Sequence, residues 1–216
     1  MINCLRLRFV SWRYHPGMPG PRVILLNGTS SAGKTTLARA VQDEADTPFV
    51  YWGIDTLFAL VPQKWGGGLD GPLAQEGFRY ERGQDPDGHL RTVIRVGPTG
   101  LRILHAGCAA AAAIPRSGLD LVIDEMLLTP DLLRVWLTAL AGFTVQFVAV
   151  TCPPEVAEQR EAARGQVPGL SRGHRPLVHA HEHTYDAVVD TAAASPADLA
   201  VAILRGEPGN GRLDPH

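Results

Sequence analysis

The amino-acid sequence predicts one α/β domain built on a parallel sheet, and three observations support this fold class. The chain has 216 residues, of which 45% are hydrophobic, which is enough for one core and few for two domains. Five short apolar runs rich in β-branched residues alternate with helical patterns, which is typical of βαβ units. A glycine-rich loop at 28–35 joins the first apolar run to the first helical pattern.

The elements follow from these runs and from residues that start or stop helices. Strands are expected at 23–27, 48–52, 119–123, 145–150 and 186–190. Helices are expected at about 34–45, 99–114, 130–141, 154–164 and 196–205. The helix signals are Thr129 before Pro130, Ser195 before Pro196, and the terminal glycines Gly142 and Gly165.

Residues 66–98 interrupt the alternation. Three glycines begin the segment, and the turn sequence at 85–88 separates the short runs 78–80 and 92–94. This pattern predicts a loop and a β-hairpin inserted between the second strand and its return helix. Such an insertion either shapes a substrate pocket or lid near the carboxyl ends of the strands, or is a surface hairpin without that role.

The two ends of the chain are expected to lie outside the domain. Residues 1–20 contain no apolar run of the length that a signal peptide needs, and we interpret them as an N-terminal extension. Residues 206–216 are interpreted as a frayed C-terminal tail. The domain is therefore expected to span residues 21–205.

The composition favours a small-molecule substrate. The chain has 20 basic and 22 acidic residues, so the formal net charge of −2 gives no bias toward nucleic acid or an anionic membrane surface. Its three cysteines have no C-x-x-C spacing, which predicts neither a disulfide framework nor a structural zinc site and fits a reducing cytoplasm. No stretch approaches membrane-spanning length, and the oligomeric state is left open.

The loop at 28–35 matches the pattern G-x-x-x-x-G-K-[ST] between a strand and a helix. Its glycines allow backbone N–H groups to surround a phosphate, Lys34 brings catalytic positive charge toward the β and γ phosphates, and the Thr35 hydroxyl can ligate Mg²⁺. The phosphate then lies at a helix N-terminus, which favours an anion. The expected nucleotide-binding residues are Gly28, Thr29, Ser30, Ser31, Ala32, Gly33, Lys34, Thr35 and Thr36.

Two acidic residues, Asp124 and Glu125, follow the third predicted strand. In P-loop enzymes an acidic residue at such a strand end holds Mg²⁺. We expect Asp124 to lie near Thr35 and to complete the metal site, with Glu125 as a secondary candidate. The alternative is that these acids cap a following helix.

Asp55 lies three residues beyond the second predicted strand. Ligands of doubly wound sheets bind outside the carboxyl ends of the strands, so this carboxylate should face the same crevice as the P-loop. A hydroxyl acceptor loses its proton during phosphoryl transfer, and an aspartate within hydrogen-bond reach can accept it. Asp55 is therefore the candidate catalytic base, and its alternative role is to cap a helix at 56–61.

Two arginines, Arg160 and Arg164, have i, i+4 spacing on the helix that ends at Gly165, so they share a face. The glycine-rich, basic segment 165–175 that follows suits a mobile lid. Guanidinium groups there would stabilise charge on the transferring phosphate, which makes both arginines candidate catalytic residues. The alternative is surface pairing, for example of Arg164 with Glu161.

A cluster of histidines, His179, His181 and His183, flanks Glu182. Two of the three would share a helical face at i, i+4, which is compatible with metal binding. No cysteine or further ligand spacing completes such a site, so solvated or hydrogen-bonded histidines are expected instead.

Taken together, these residues resemble the chloramphenicol 3-O-phosphotransferase-like family of P-loop kinases. The resemblance rests on the segments 26–34, 53–57, 123–125 and 156–165, and it continues through 185–186 and 189–191. It therefore runs from about residue 21 to 205. Its more specific parts are the paired Ser30 and Ser31 and the G-[IV]-D-[ST]-L segment at 53–57.

The resemblance implies a three-layer P-loop kinase fold with a five-stranded parallel sheet, from which the hairpin near residues 66–98 departs. It also implies ATP- and Mg²⁺-dependent transfer of the γ-phosphoryl group to a hydroxyl of a small molecule, such as chloramphenicol or a related antibiotic, with Asp55 as the base. One member of this family has a further arginine three residues after the one matched by Arg164. This chain has Val167 there, and Arg172 or Arg175 are candidates to replace it.

Two other functions remain open. A metabolic kinase for a nucleoside or sugar-like acceptor would use the same residues. A nucleotide-binding regulator would have no small acceptor, and it would need a water-positioning group and a partner surface instead of a carboxylate beside the acceptor.

Overall fold

The computed structural model describes residues 20–66 and 71–213, and this part of the chain forms the expected three-layer α/β fold. Its central parallel sheet contains β1 (Val23–Asn27), β2 (Phe49–Gly53), β5 (Asp120–Glu125), β6 (Val145–Thr151) and β7 (Ala187–Asp190). The strand order is β2-β5-β1-β6-β7, with β1 paired to β5 on one side and to β6 on the other. The predicted five-stranded parallel sheet is therefore confirmed.

Helices cover both faces of this sheet. One face packs against α1 (Lys34–Glu44), α6 (Pro154–Ala163) and α8 (Pro196–Leu204), and the other against α2 (Ile54–Leu60), α3 (Pro98–Ala111), α4 (Ala113–Arg116) and α5 (Leu132–Ala139). The alternation along β1 shows the layering, because Ile24 and Leu26 face α1 whereas Val23 and Leu25 face the opposite layer. Both cores are thus built from continuous apolar strands, as expected for a parallel sheet.

The inserted segment forms the predicted hairpin. Strands β3 (Phe78–Gln84) and β4 (Leu90–Val96) pair antiparallel as a separate two-stranded sheet. A helix, α7 (Leu170–Val178), packs along β4. The Thr92 amide donates to the Gly169 carbonyl at 2.8 Å, and the Ile94 amide donates to Nε2 of the buried His174 at 3.1 Å. The hairpin is therefore bonded to the segment that follows α6.

The segment 165–175, expected to be a glycine-rich lid, is helical in its second half, because α7 begins at Leu170. Helix propensity is low there, with Gly173 in the interior and Pro176 in the last turn. Tertiary contacts override this propensity. A Cβ at position 173 would overlap the Thr92 carbonyl, so glycine is what allows the helix to approach β4 so closely.

The prediction of a frayed tail is also wrong for residues 206–213. The Val188 amide donates to the Pro208 carbonyl at 2.9 Å, and the Gly211 amide donates to the Val188 carbonyl at 2.8 Å. The physical reason is that β7 is an edge strand, whose outward backbone groups gain hydrogen bonds when the tail lies beside them. The predicted N-terminal extension, residues 1–20, lies outside the described residues except for Gly20.

Other differences concern element boundaries. Strand β5, predicted to end at residue 123, continues through Glu125, because β1 pairs with it up to that residue. Helix α5 begins at Leu132, so Asp131 and not Thr129 is its N-cap. Ser195 caps α8 as predicted, because its hydroxyl accepts from the Asp198 amide at 3.2 Å. None of the helices in the described ranges is long and apolar enough to cross a membrane.

Candidate active site

The loop at 28–35 wraps around the N-terminus of α1. Gly33 has a φ of +97°, in the left-handed region that favours glycine. A Cβ on Gly28 would overlap the Val150 carbonyl of β6, so this glycine is required by the close approach of the two backbones. Among the described non-glycine residues, Ser31 has a positive φ, of 59°. The loop therefore has the tight, inward-turned backbone that surrounds a phosphate.

Lys34, the first residue of α1, is buried beneath this loop. Its Nζ donates to the Thr29 carbonyl at 2.9 Å and lies 3.9 Å from Oδ1 of Asp124. Both charged side chains are almost completely buried, at 8% and 6% exposed. The ammonium group is thus held inside the loop, at the place where the β and γ phosphates of a bound nucleotide would lie.

Asp124 and Thr35 meet as predicted. The Thr35 hydroxyl donates to Oδ2 of Asp124 at 2.5 Å, and the Tyr51 hydroxyl donates to the same oxygen at 3.0 Å. Burial and the Asp124 charge raise the pKa of Tyr51, so this phenol stays a donor. Hydroxyl and carboxylate oxygens are the ligands that Mg²⁺ prefers, so Thr35 and Asp124 fit a magnesium site.

Glu125 faces the opposite layer because side chains alternate along a strand. Its carboxylate accepts from the Trp136 indole at 2.7 Å and from the Met126 amide at 2.9 Å. Burial raises its pKa to about 7, against the hydrogen bonds from Trp136 and Met126. Glu125 therefore belongs to the core, and Asp124 is the residue that faces the loop.

Asp55 lies in the first turn of α2, whose N-cap is Gly53. The alternative that Asp55 itself caps the helix is therefore wrong. Its carboxylate opens into a cavity of about 530 Å³ that also reaches Lys34 and Thr35. Partial burial and the nearby Asp124 charge raise the pKa of Asp55, whereas Lys34 and Arg164 oppose this shift. The cavity thus places a carboxylate with a raised pKa beside the phosphate-binding loop.

The same cavity has an apolar side. This side of the wall is formed by residues of α2, the inserted hairpin, the segment after β5, the linker before α7 and the first residue of α7. They are Phe58, Tyr80, Ile94, Met126, Val167 and Leu170. The hairpin therefore contributes to the pocket that contains Asp55, and the interpretation of it as a surface hairpin without that role is wrong. A ligand in this cavity meets charged groups at one end and apolar groups at the other.

The two predicted arginines on α6 lie in different surroundings. Arg160 donates to Oγ1 of Thr191 at 2.9 Å and to the Thr191 carbonyl at 3.2 Å, beside a second cavity of about 230 Å³. Arg164 lines both cavities, and its guanidinium makes no hydrogen bond or ion pair with the described residues. The alternative pairing of Arg164 with Glu161 is not formed, because the Glu161 carboxylate accepts from the Gly169 and Ser171 amides instead.

The two arginines expected to replace the family arginine at position 167 do not face this cavity. Arg172 bridges Asp85 at 2.7 Å and Glu158 at 2.5 Å. Arg175 donates to the Cys152 carbonyl at 3.2 Å and lines a different cavity. The sequence did not indicate two residues of the site: Tyr51, which contacts Asp124, and Gln166, which contacts the P-loop. Tyr51 shares a strand face with Gly53 by the two-residue period, but nothing in the sequence marks its contact with Asp124.

The histidine cluster lies beyond the end of α7, so the expected i, i+4 helical arrangement is not formed. His179 and His181 contact the Tyr185 hydroxyl at 2.7 Å and 2.9 Å. His183 lies against the Phe147 ring, with 6.3 Å between ring centroids. These contacts are hydrogen bonds and ring packing, as the non-metal interpretation expects.

Comparison with known sequences identifies relatives over nearly the whole chain. The sequence model for the family "chloramphenicol phosphotransferase-like protein" matches residues 21–206. A Mycobacterium tuberculosis protein whose name gives it a provisional O-phosphotransferase assignment is 34% identical over 205 residues, which are 93% of this chain and 89% of the relative.

Comparison with solved structures identifies similar kinase folds. An APS kinase of Mycobacterium tuberculosis, in complex with AMPPNP and APS, has a TM-score of 0.59 and 14% identity over 88% of this chain and 98% of its own. A sugar kinase from Janibacter sp. HTCC2649 has a TM-score of 0.58 and 19% identity over 88% of this chain and 97% of its own. At these identities the likeness concerns the fold alone.

Proposed function

Since this chain belongs to the chloramphenicol phosphotransferase-like family of P-loop kinases and is a phosphotransferase, we propose that it transfers the γ-phosphoryl group of ATP to a hydroxyl of a small molecule. The observation that carries this proposal is the cavity shared by Asp55, Lys34 and Thr35. It offers space for an acceptor directly beside the loop that binds the donor phosphates.

Asp55 is the proposed base. As the acceptor oxygen forms its bond to the γ-phosphorus, the bond from that phosphorus to the β,γ-bridging oxygen breaks and ADP leaves. The hydroxyl proton passes to the Asp55 carboxylate. The raised pKa of Asp55 supports this role, because it makes the carboxylate a stronger proton acceptor than an ordinary aspartate.

The donor side is assigned to the P-loop and to α6. Lys34 and Arg164 balance charge on the transferring group, since both act electrostatically on Asp55 and line its cavity. Arg160 is assigned to the nucleotide base, because it lies with Thr191 in the second cavity, which meets the P-loop at Gly33. This assignment separates the two arginines, which the sequence treated as one pair.

Mg²⁺ is the expected metal, held by the Thr35 hydroxyl and the Asp124 carboxylate. When bound, it neutralises charge on the nucleotide phosphates. Tyr51 keeps the Asp124 carboxylate oriented toward the loop through its 3.0 Å hydrogen bond. We also propose a cytoplasmic location and a domain that begins at residue 21, where the family match also begins.

The acceptor is proposed to be chloramphenicol or a related antibiotic. The apolar wall formed by Phe58, Ile94, Met126 and Leu170 suits an acceptor whose hydroxyl is attached to an apolar body. A nucleoside or sugar-like acceptor would leave its polar groups against this wall without hydrogen-bond partners, which is costly. The carboxylate in the cavity likewise favours a kinase over a regulator that has no acceptor.

Transfer of labelled γ-phosphate from ATP to chloramphenicol, to other hydroxylated apolar compounds, and to sugars and nucleosides tests the proposal. The wild type should phosphorylate an apolar-bodied acceptor. Asp55→Asn should lower kcat by about 10²- to 10⁴-fold while ATP still binds. Asp43→Asn, on the exposed side of α1, is the matched control and should keep full activity.

Two outcomes would contradict the assignments separately. A wild type that hydrolyses ATP but phosphorylates no acceptor would remove the support for a small-molecule kinase of this kind. Full transfer by Asp55→Asn would exclude Asp55 as the base while leaving the enzyme class intact. Lys34→Ala should abolish transfer, and unchanged activity would exclude the P-loop lysine from catalysis.

A further inference from the structure

One side chain of the linker between α6 and α7 reaches the phosphate-binding loop. Oε1 of Gln166 accepts a hydrogen bond from Oγ of Ser30 at 3.0 Å and another from Oγ of Ser31 at 3.2 Å. Gln166 also lines the cavity that contains Asp55 and Arg164. It therefore stands between the donor loop and the acceptor cavity.

The linker that carries Gln166 is held in place at both ends. The Gln166 amide donates to the Glu161 carbonyl at 3.2 Å, at the end of α6. The buried Glu161 carboxylate accepts from the Gly169 and Ser171 amides, both at 2.6 Å, at the start of α7. These short hydrogen bonds hold the linker that carries Gln166 between the end of α6 and the start of α7.

The amide of Gln166 is oriented by the two serines. Because Oε1 accepts from both hydroxyls, the Nε2 group points away from them, and its two N–H donors have no partner among the described residues. A side-chain amide has two such donors and carries no charge. Gln166 thus lies beside a loop built to bind phosphate and carries two donors that the described residues do not use.

We propose that Gln166 is a catalytic residue whose side-chain N–H groups donate to the phosphoryl group as it moves from ATP to the acceptor, an inference that rests on the proposed function. Charge in this reaction spreads over the equatorial phosphate oxygens, and pre-oriented donors stabilise it. No bond to Gln166 forms or breaks. Its role explains why neither Arg172 nor Arg175 faces the cavity, since Arg164 supplies the cation and Gln166 supplies neutral donors.

The test compares Gln166→Ala, Gln166→Glu and the exposed control Gln75→Glu with the wild type. Two quantities are measured: kcat for phosphoryl transfer, and the ratio of the affinities for AMPPNP and ADP, which differ in the γ-phosphoryl group. Gln166→Ala should lower kcat by about 100-fold, as expected for one lost donor. Gln166→Glu should weaken AMPPNP binding by roughly tenfold or more and leave ADP binding nearly unchanged, because its carboxylate repels the γ-phosphate.

The outcomes separate the two proposals. An AMPPNP-to-ADP affinity ratio equal in the wild type and Gln166→Glu would overturn the role of Gln166, whatever the activity. If the wild type transfers phosphate to no acceptor but the ratio changes in Gln166→Glu, the proposed function fails while the contact with the γ-phosphate stands. Thermal unfolding of each variant establishes that any loss does not come from unfolding, and Gln75→Glu should match the wild type in every measurement.

Discussion

The contribution of the buried Glu125 to the stability of this protein should fall as pH rises from 5 to 8. This residue is 4% exposed, and its carboxyl group lies in the core between β5 and α5. Burial raises its pKa from 4.5 to about 7, so the folded protein holds this proton more tightly than the unfolded chain does. The contribution is fully present below pH 4.5 and is lost as pH rises through about 7.

The magnitude follows from the shift. One pKa unit corresponds to ~1.4 kcal/mol, so a rise from 4.5 to about 7 is worth ~3 kcal/mol, most of it lost between pH 5 and pH 8. Glu125→Gln replaces the titratable carboxyl group with an amide that does not titrate. Its single amide oxygen cannot serve both the Trp136 and Met126 donors, so the variant should be less stable than the wild type at pH 5. That difference should shrink or reverse at pH 8.

Urea unfolding of the wild type and Glu125→Gln at pH 5 and pH 8 measures this effect. The difference between the two proteins isolates Glu125, because the other titrating groups cancel. The exposed Glu44→Gln is the matched control and should follow the wild type at both pH values. A difference that is the same at both pH values, or that grows in favour of the wild type at pH 8, would refute the reasoning.

Three further predictions follow from buried or charged groups around the site. Arg164→Gln should move the acid limb of the pH profile of kcat/KM to higher pH, because the Arg164 guanidinium lowers the pKa of Asp55. An acid limb at the same pH in both proteins would contradict Asp55 as the base. Burial lowers the pKa of His174 to about 4, so the stability that the neutral side chain contributes is present above pH 6.5 and is lost as pH falls toward 4. The Ile94 amide, which donates to His174, should therefore lose protection from hydrogen exchange as pH falls toward 4. Unchanged protection over this range would contradict the prediction. Glu161→Gln leaves one acceptor oxygen for the Gly169 and Ser171 amides, which should cost ~2 kcal/mol of stability and lower Tm by about 4–8 °C. An unchanged Tm would show that these hydrogen bonds contribute little to stability.

Local patterns were sufficient for the sheet and the donor loop. The continuous apolar run at 23–27 and the glycines that follow it dictate a buried strand and a phosphate-binding turn whatever the rest of the chain does. The short apolar runs on either side of the turn at 85–88 were sufficient for the hairpin, because its signal is also local. Helix α7 was missed since its glycine and proline oppose a helix, and only contact with β4 stabilises it.

The partners of charged side chains required the tertiary structure. Sequence spacing treated Arg160 and Arg164 alike, but only the fold directs one to Thr191 and leaves the other on the acceptor cavity. The tail after Gly206 was expected to fray, yet the open edge of β7 binds it. Both cases depend on groups distant in sequence, which no local pattern contains.

By itself, the sequence determined that this protein is a parallel α/β fold with a P-loop and an acidic residue at each of two strand ends, because backbone preference and side-chain period act over a few residues. The tertiary structure alone decided that Glu125 is buried against Trp136. It also brought Gln166 to Ser30 and Ser31 from 136 and 135 residues away. The reason is physical: the direction of a side chain is local, but what it meets depends on how the layers pack.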